Sequence, residues 1–343
     1  MKQNSSFLPD GIFIIAEIGV NHDGNLGKAK ELILGAKNSG ADAVKFQSFK
    51  AHELASSTTP KVPYQNNNDS NTSHLAMLEK LELTHNQQIE LMEYSKNIGI
   101  EFISTPYSVD EANFLNSIGV EKFKVASADI VDIPLHERIA SFGKPSLVSV
   151  GMASIDEIYE VIEIYKRSDA ELSLLHCTSE YPTMPEHAFL LRIKKIKEMN
   201  NGHVGFSDHT QGTVAAVMSV ALGCRILEKH ITLNKKDAGP DHAASMDVDE
   251  FRIYCESVRE AYISLGTDVF FQTKDEILMA QTSRKSLHLS RELKLGDRIT
   301  EEDLKLMRPG TGIFWRDRFQ ILGMKAKKNL QKNHKVSTED FEF

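Results

Sequence analysis

The chain has 343 residues, of which 41% are hydrophobic and 26% are charged, and its formal net charge is −8. This length suits one domain of about 250 residues followed by a small one, and the composition is that of a globular protein with a large core. The chain has no marked run of Lys and Arg, which argues against a nucleic-acid partner, and no apolar run of about 18 residues, which argues against a membrane span.

The cysteine content and the N-terminus bear on the compartment. The three cysteines, Cys177, Cys224 and Cys255, are few, odd in number and widely spaced. Such cysteines fit free thiols in a reducing compartment better than a disulfide framework. The first ten residues contain no apolar stretch of signal-peptide length;. We therefore expect a cytoplasmic protein.

Short β-branched runs alternate with amphipathic stretches over the first 265 residues. Eight such units predict a (β/α)₈ barrel. A doubly wound sheet is the main alternative, but it usually carries a G-x-G-x-x-G turn after its first strand, which this chain lacks;. The predicted strands are 11–15, 43–47, 101–104, 122–126, 145–149, 172–176, 204–207 and 226–230. Helical patterns include 26–39, 156–167, 185–199 and 249–265.

Two segments fall outside this repeat. Residues 51–74 form a long polar stretch, and a loop of this length after a barrel strand is usually functional or disordered;. We expect a flap over the catalytic face. After residue 265 the pattern changes, and the predicted domains are a barrel over 1–266, a linker over 267–282 and a turn-rich module over 283–343. Its β-like runs are 286–289 and 325–328.

Polar residues occur at or just beyond the end of every predicted strand, where barrel enzymes carry their active sites;. Lys45 and Lys124 are expected to point into the barrel, where a buried ammonium group requires an anion. Four nearby serines complete a candidate cradle for a phosphate and a carboxylate: Ser127, Ser149, Ser179 and Ser207;. The alternatives are a salt bridge of one lysine with Glu17 or Asp129, and a Schiff-base lysine.

Two histidines end neighbouring predicted strands. His209 and His230 could hold a divalent metal, with positions left open for water or substrate;. Taken singly, each is more often a hydrogen-bonded core histidine than a ligand, and His22 is a further candidate ligand. Glu17 follows an apolar run that could raise its pKa and suit it to proton transfer, although a structural carboxylate is an equal alternative.

Several motifs in this order resemble those of the sialic acid synthase family, which includes legionaminate and pseudaminate synthases. They include "IIAEIGVNHDGNLGKAKELI" (14–33), "ADAVKFQSFKA" (41–51), "HCTSEYPT" (176–183), "GFSDHT" (205–210), "LEKHITL" (227–233) and "GPDHAASM" (239–246). The part from "RKSL" (284–287) through "MRPGTGI" (307–313) to "LGMKAKKNL" (322–330) resembles the antifreeze-like (SAF) domain that ends these synthases.

The resemblance implies a reaction and a set of site residues. The enzyme would condense phosphoenolpyruvate with N-acetylmannosamine, or with a diacetamido-trideoxy sugar in the legionaminate branch. Phosphoenolpyruvate would contact Lys45, Lys124 and the four serines, and Mn²⁺ or Mg²⁺ would bind His209 and His230. The sugar would lie near Glu17, Gln47, Tyr181 and Asp241. Arg308 would reach the sugar's acyl group from the partner copy of a domain-swapped homodimer.

Three other functions remain open from the sequence. A phosphoenolpyruvate–aldose synthase that takes a phosphorylated sugar would need further basic residues and no C-terminal module. A Schiff-base aldolase would form an imine on Lys124. A sugar-binding barrel without activity is the third, and the presence of both lysines and both histidines argues against it.

Overall fold

The computed structural model describes residues 11–56, 58–60, 73–200 and 202–343. Contacts divide the chain into two compact units, Met1–Gly266 and Thr267–Phe343. Among the described residues, no helix combines the length and the apolar character that a bilayer crossing requires.

The first unit is a parallel eight-stranded barrel. Its strands follow one another in the order β3-β2-β1-β8-β7-β6-β5-β4, with β1 paired to β8, and β3 lies against β4. This closed order confirms the predicted (β/α)₈ fold and excludes the doubly wound sheet. The strands are β1 Phe13–Gly19, β2 Ala43–Ser48, β3 Glu101–Pro106, β4 Phe123–Val125, β5 Ser146–Ser149, β6 Leu172–Cys177, β7 Val204–Asp208 and β8 Ile226–His230.

Ten α-helices accompany these strands in the described part of the first unit. They are α1 Leu26–Asn38, α2 Ala51–Leu54, α3 His74–Leu81, α4 His85–Ile98, α5 Val109–Ile118, α6 Ile133–Ser141, α7 Ile155–Arg167, α8 Arg192–Met199, α9 Val214–Ala221 and α10 Val248–Leu265. The helix predicted over 185–199 is too long. Its first part is a single 3₁₀ turn, Pro185–His187, and Phe189 has a positive φ of 42°, which a continuous α-helix does not accommodate;.

The barrel interior is apolar in its lower part and polar above. Residues on alternate positions of the strands fill it, because successive side chains of a strand point to opposite faces. On β1, Phe13 and Ile15 belong to this interior layer, whereas Ile14 and Ala16 pack outward against the helices. The interior layer consists of Phe13, Ile15, Ala43, Ile103, Leu147, Leu175 and Ile226.

The second unit is small and rich in turns. It contains helix α11 (Lys274–Ser283) and two antiparallel pairs, β9 (Ser286–Leu289) with β10 (Leu304–Met307) and β11 (Lys325–Ala326) with β12 (Phe341–Glu342). The segment 267–282, which was predicted as a linker, contains most of α11, a helix that the sequence did not predict. Thr273 and Glu276 form a capping box that starts this helix, and no residue of α11 is buried, so it carries no amphipathic pattern;.

The predicted flap over 51–74 is described only at its ends. Residues 57 and 61–72 lie outside the described residues. Ala51–Leu54 forms a short helix, and His74 begins α3 behind the N-cap Ser73. The described ends are therefore helical and pack together in one apolar cluster.

The interior layer predicts a stability effect. Ile103→Ala should destabilise the barrel by about 2–5 kcal/mol, because Ile103 is fully buried among the interior side chains and the cavity left behind cannot collapse completely;. Urea denaturation followed by circular dichroism measures the change. Ile263→Ala is the matched control, since Ile263 is 76% exposed and its truncation should change stability by less than about 0.5 kcal/mol;.

Candidate active site

A single cavity of about 420 Å³ lies at the carboxyl ends of the barrel strands. Every barrel residue that the sequence singled out for phosphoenolpyruvate, sugar or metal lines it, except the further candidate ligand His22. They are Glu17, Lys45, Gln47, Lys124, Ser127, Ser149, Ser179, Tyr181, Ser207, His209, His230 and Asp241. The structure thus brings these side chains together, while the role of each stays a prediction.

Four buried charges lie at the base of the cavity. Lys45 Nζ lies 2.9 Å from Glu17 Oε2 and 3.9 Å from Glu228 Oε2. Lys124 Nζ lies 3.8 Å from Glu228 Oε1 and donates a hydrogen bond of 2.7 Å to Ser149 Oγ. We call Glu17, Lys45, Lys124 and Glu228 the charge quartet. The structure therefore contains the salt bridge between Glu17 and a lysine that the sequence analysis gave as an alternative. Asp129, the other carboxylate considered, makes no such pair among the described ion pairs.

Glu228 is the site residue to which sequence reasoning assigned no role. It precedes His230 by two positions on β8, so both side chains point into the barrel;. Its Oε1 also accepts a 2.8 Å hydrogen bond from Ser207 Oγ. The period of two along β8 was available in the sequence, but the partners of Glu228 on other strands were not.

The environments of the two carboxylates separate their pKa values. Burial raises the pKa of Glu17 to about 7, although Lys45 opposes the rise, and the like charge of Glu228 adds to it. Burial would also raise the pKa of Glu228, but the ammonium groups of Lys124 and Lys45 outweigh it and hold that pKa well below its usual range. Two carboxylates set apart in this way can hold different protonation states near neutral pH.

Two of the serine hydroxyls lie close to Gly151, which follows β5. Its backbone N–H donates a 3.0 Å hydrogen bond to Ser127 Oγ. A Cβ at this position would lie 2.6 Å from Ser179 Oγ and 2.9 Å from Ser127 Oγ. Only glycine therefore leaves this space open, and these hydroxyls line the same cavity as Lys124, while their role as an anion cradle stays a prediction.

The two histidines face one another at the ends of β7 and β8. Their ring centroids lie 5.6 Å apart, and the ring of Tyr181 lies 4.0 Å from that of His209. His209 Nδ1 donates a 2.8 Å hydrogen bond to the Thr178 carbonyl, which leaves Nε2 as the atom available to a metal;. Nδ1 of His230 is buried and makes no hydrogen bond in the described structure.

The pKa shifts of the two histidines differ: that of His230 favours metal binding, and that of His209 opposes it. Burial lowers the pKa of His230 well below its usual value, and His209 and Lys45 add to the effect, so His230 is neutral. Burial also lowers the pKa of His209, but the neighbouring Cys177 and Thr178 raise it above its usual value, so a cation at Nε2 competes with a proton. Neutral imidazole with an unpaired nitrogen fits a divalent ion.

Other candidate ligands are engaged elsewhere. His22 does not line the cavity, and its Nδ1 accepts a hydrogen bond of 3.0 Å from the Gly24 amide. Among the described residues, the trio of possible ligands within 4.8 Å of one another is Asp23, Asp237 and His242. Lys28 Nζ lies between its two carboxylates, at 2.5 and 2.6 Å, so an ammonium group already pairs with both and offsets one of their two charges.

Arg308 lies in the second unit. Its side chain is exposed, and its Nε donates a hydrogen bond of 2.9 Å to the Ser283 carbonyl. The expected contact of Arg308 with the sugar of a partner copy stays a prediction.

Comparison with known proteins identifies the family. The NeuB family model matches residues 32–270, and the SAF domain model matches 284–342. The chain belongs to the NeuB family. This confirms the resemblance drawn from the motifs, and the small antiparallel pairs correspond to the predicted SAF domain.

Two relatives and one solved structure place this NeuB chain more closely. It is 40% identical to N,N'-diacetyllegionaminic acid synthase of Legionella pneumophila over 93% of this chain and 91% of that protein. It is 38% identical to the enzyme of the same name from Campylobacter jejuni, over 94% and 98%. The N-acetylneuraminic acid synthetase of Leptospira borgpetersenii, crystallised with citrate, has 31% identity and a TM-score of 0.71 over 78% of this chain and 90% of that one. The NeuB chain is thus a synthase of the transferase type.

The charge quartet predicts a proton-linked anion affinity. An anion bound beside Lys45 favours the neutral form of Glu17, whose pKa is about 7. The dissociation constant of phosphoenolpyruvate should therefore rise as pH increases from 6 to 8, by roughly tenfold. Calorimetry on the native protein and on Glu17→Gln measures the effect.

The Glu17→Gln protein is the reference for the native protein, because ionisation of phosphoenolpyruvate itself changes the dissociation constants of both proteins equally. The two pH profiles should diverge above pH 7, with the flatter one belonging to Glu17→Gln. Parallel profiles would show that Glu17 does not titrate with anion binding.

Proposed function

We propose that this NeuB protein condenses phosphoenolpyruvate with the aldehyde of an N-acylated amino sugar and water, giving a nonulosonic acid and phosphate. The observation that carries the proposal is that one cavity holds both a lysine–serine cradle and two facing histidines. The cradle suits the phosphate and carboxylate of phosphoenolpyruvate. The histidines suit Mn²⁺ or Mg²⁺, which when bound would polarise the aldehyde oxygen.

The residues of the chain account for the remaining requirements. Lys45 and Lys124 bind the two anionic groups and orient C3 of phosphoenolpyruvate toward the aldehyde carbon. The new C–C bond forms there, water adds at C2, and phosphate leaves with cleavage of its C–O bond. Glu17, whose pKa is about 7, is neutral when phosphoenolpyruvate is bound and donates its proton to the former aldehyde oxygen as the C–C bond forms. Its carboxylate then accepts the proton that the added water releases;. Burial of the charge quartet strengthens these electrostatic contacts.

The sugar that we propose is 2,4-diacetamido-2,4,6-trideoxymannose. The sequence favoured N-acetylmannosamine, and that expectation stays untested. Two relatives at 40% and 38% identity are N,N'-diacetyllegionaminic acid synthases, which supports the diacetamido sugar.

The metal proposal predicts a loss of turnover on chelation. EDTA should abolish phosphate release from phosphoenolpyruvate in the presence of the sugar, and added Mn²⁺ should restore it. His209→Ala should lower kcat by at least about 100-fold, because the ion would lose one of its two protein ligands. Activity that is insensitive to both EDTA and His209→Ala would contradict the metal role.

The same assay separates the alternative chemistry. In a Schiff-base aldolase, borohydride would reduce the imine between pyruvate and Lys124, which would inactivate the enzyme and leave a stable pyruvate-derived label on Lys124. We expect no label, because Lys124 Nζ is already bonded to Ser149 Oγ and to the Val125 carbonyl.

We further propose the domain-swapped homodimer, in which the arginine at position 308 of one copy serves the barrel of the other. Arg308→Ala and His209→Ala should each be inactive alone. When the two inactive proteins are mixed and allowed to exchange subunits, each heterodimer regains one intact site, and activity should return to about a quarter of the native value. The absence of complementation, with heterodimers verified by mass, would contradict the swapped arrangement.

A further inference from the structure

The cavity has two chemically different sides. Its base carries the charge quartet, the serines and the histidines. Six further lining side chains belong to one apolar cluster, and we call them the apolar wall: Val20, Leu54, Met77, Leu78, Leu81 and Tyr107. Of these side chains only that of Tyr107 bears a polar atom, its hydroxyl.

The apolar wall is one packed unit rather than a set of separate side chains. Its six members all belong to a single hydrophobic cluster with Phe49, Ala51 and Ala55. Leu78 and Leu81 are 8% and 7% exposed, whereas Leu54 and Met77 are half-buried and complete the cavity surface. The wall therefore has a fixed shape against which a ligand can pack.

An ion-paired carboxylate fixes the two helices that build the wall. Glu82, which follows α3, accepts hydrogen bonds from the Ala51 amide at 2.9 Å and from Lys50 Nζ at 3.0 Å. This ties the end of α3 to the beginning of α2. These bonds between described residues hold the apolar wall in place.

We infer that the apolar wall selects the sugar, by receiving an end of the substrate that is deoxygenated and acylated. The inference rests on the proposed function. The aldehyde must lie beside the histidines and the cradle for C–C bond formation, so the far end of the sugar extends away from the charged base. The apolar wall is the apolar cluster of described side chains that the cavity offers to such an end.

The chemistry of the wall distinguishes the two candidate sugars. N-acetylmannosamine carries hydroxyl groups at C4 and C6, which lose hydrogen bonds to water when they face hydrocarbon. The diacetamido sugar presents a methyl group at C6 and an acetyl methyl at C4, which gain from burial. A hydrophobic pocket discriminates at this level by roughly 10- to 100-fold in kcat/KM.

Met77→Gln tests the inference, because it keeps the length of the side chain and places an amide on the wall. At saturating phosphoenolpyruvate, kcat/KM for the diacetamido-trideoxy sugar should fall by roughly tenfold, and that for N-acetylmannosamine should hold or rise. The KM for phosphoenolpyruvate should not change. Leu54→Asn, at another half-buried member, should shift the ratio in the same direction.

Two controls separate selection from damage to the fold. Met77→Leu keeps the wall apolar and should keep the native ratio. Met184→Gln makes the same chemical change at a 49% exposed methionine outside the cavity and should also keep it. Thermal denaturation of each variant reports whether the fold is retained.

The outcomes distinguish this inference from the proposed function. If the native protein releases phosphate with neither sugar, the proposed function fails. If it prefers the diacetamido sugar but folded Met77→Gln and Leu54→Asn keep that ratio, the wall does not select and the proposed function stands. Equal or better use of N-acetylmannosamine by the native protein would also overturn the role of the wall.

Discussion

The structure depends on burying four charges inside a barrel. A lone ammonium or carboxylate in this position would cost several kcal/mol, and it is tolerated only when a partner neutralises it. Lys45 lies between Glu17 and Glu228, and Glu228 also lies near Lys124, so with all four groups ionised the quartet is neutral. Since the pKa of Glu17 is about 7, protonation of this one group leaves a net positive site. The mutual pairing that allows these four charges to be buried therefore also leaves a site that favours a bound anion.

Strand alternation explains how much of this could be predicted from the sequence. A period of two places Glu17 and Lys45 above the interior apolar layer, and the rule that barrel sites occur at strand ends brings them together. The predicted strands were displaced by only a few residues. The strand predicted over 11–15 is Phe13–Gly19, which places Glu17 within the strand rather than beyond it. The inward direction of Glu17 is unaffected.

The features that sequence reasoning missed depend on contacts between distant segments. Glu228 could be assigned to a strand end, but its two lysine partners come from β2 and β4, which neither pair with β8 nor lie near it in sequence. The apolar wall likewise joins residues 20, 54, 77, 78, 81 and 107, which share no local period. Helix α11 was not predicted for a different reason. It buries no residue in the described structure, and its sequence lacks the periodic apolar pattern that predicts a helix.

The outward-facing residues beside the histidines hold the two strand ends together. Asp208 and Lys229 are paired in register on β7 and β8, and Lys229 Nζ lies 3.5 Å from Asp208 Oδ2. Lys229 also donates to the Thr210 carbonyl, while Asp208 Oδ1 accepts from the amide and hydroxyl of Thr210 at 2.8 and 2.7 Å. All these bonds lie behind the cavity.

His209 and His230 directly follow Asp208 and Lys229 in the chain, on the opposite face of the strands. The buried ion pair therefore fixes the separation of the two imidazoles without entering the cavity. In the same way, Glu82 fixes the apolar wall from behind. Ion pairs that lie outside the cavity thus support both the histidines and the apolar wall.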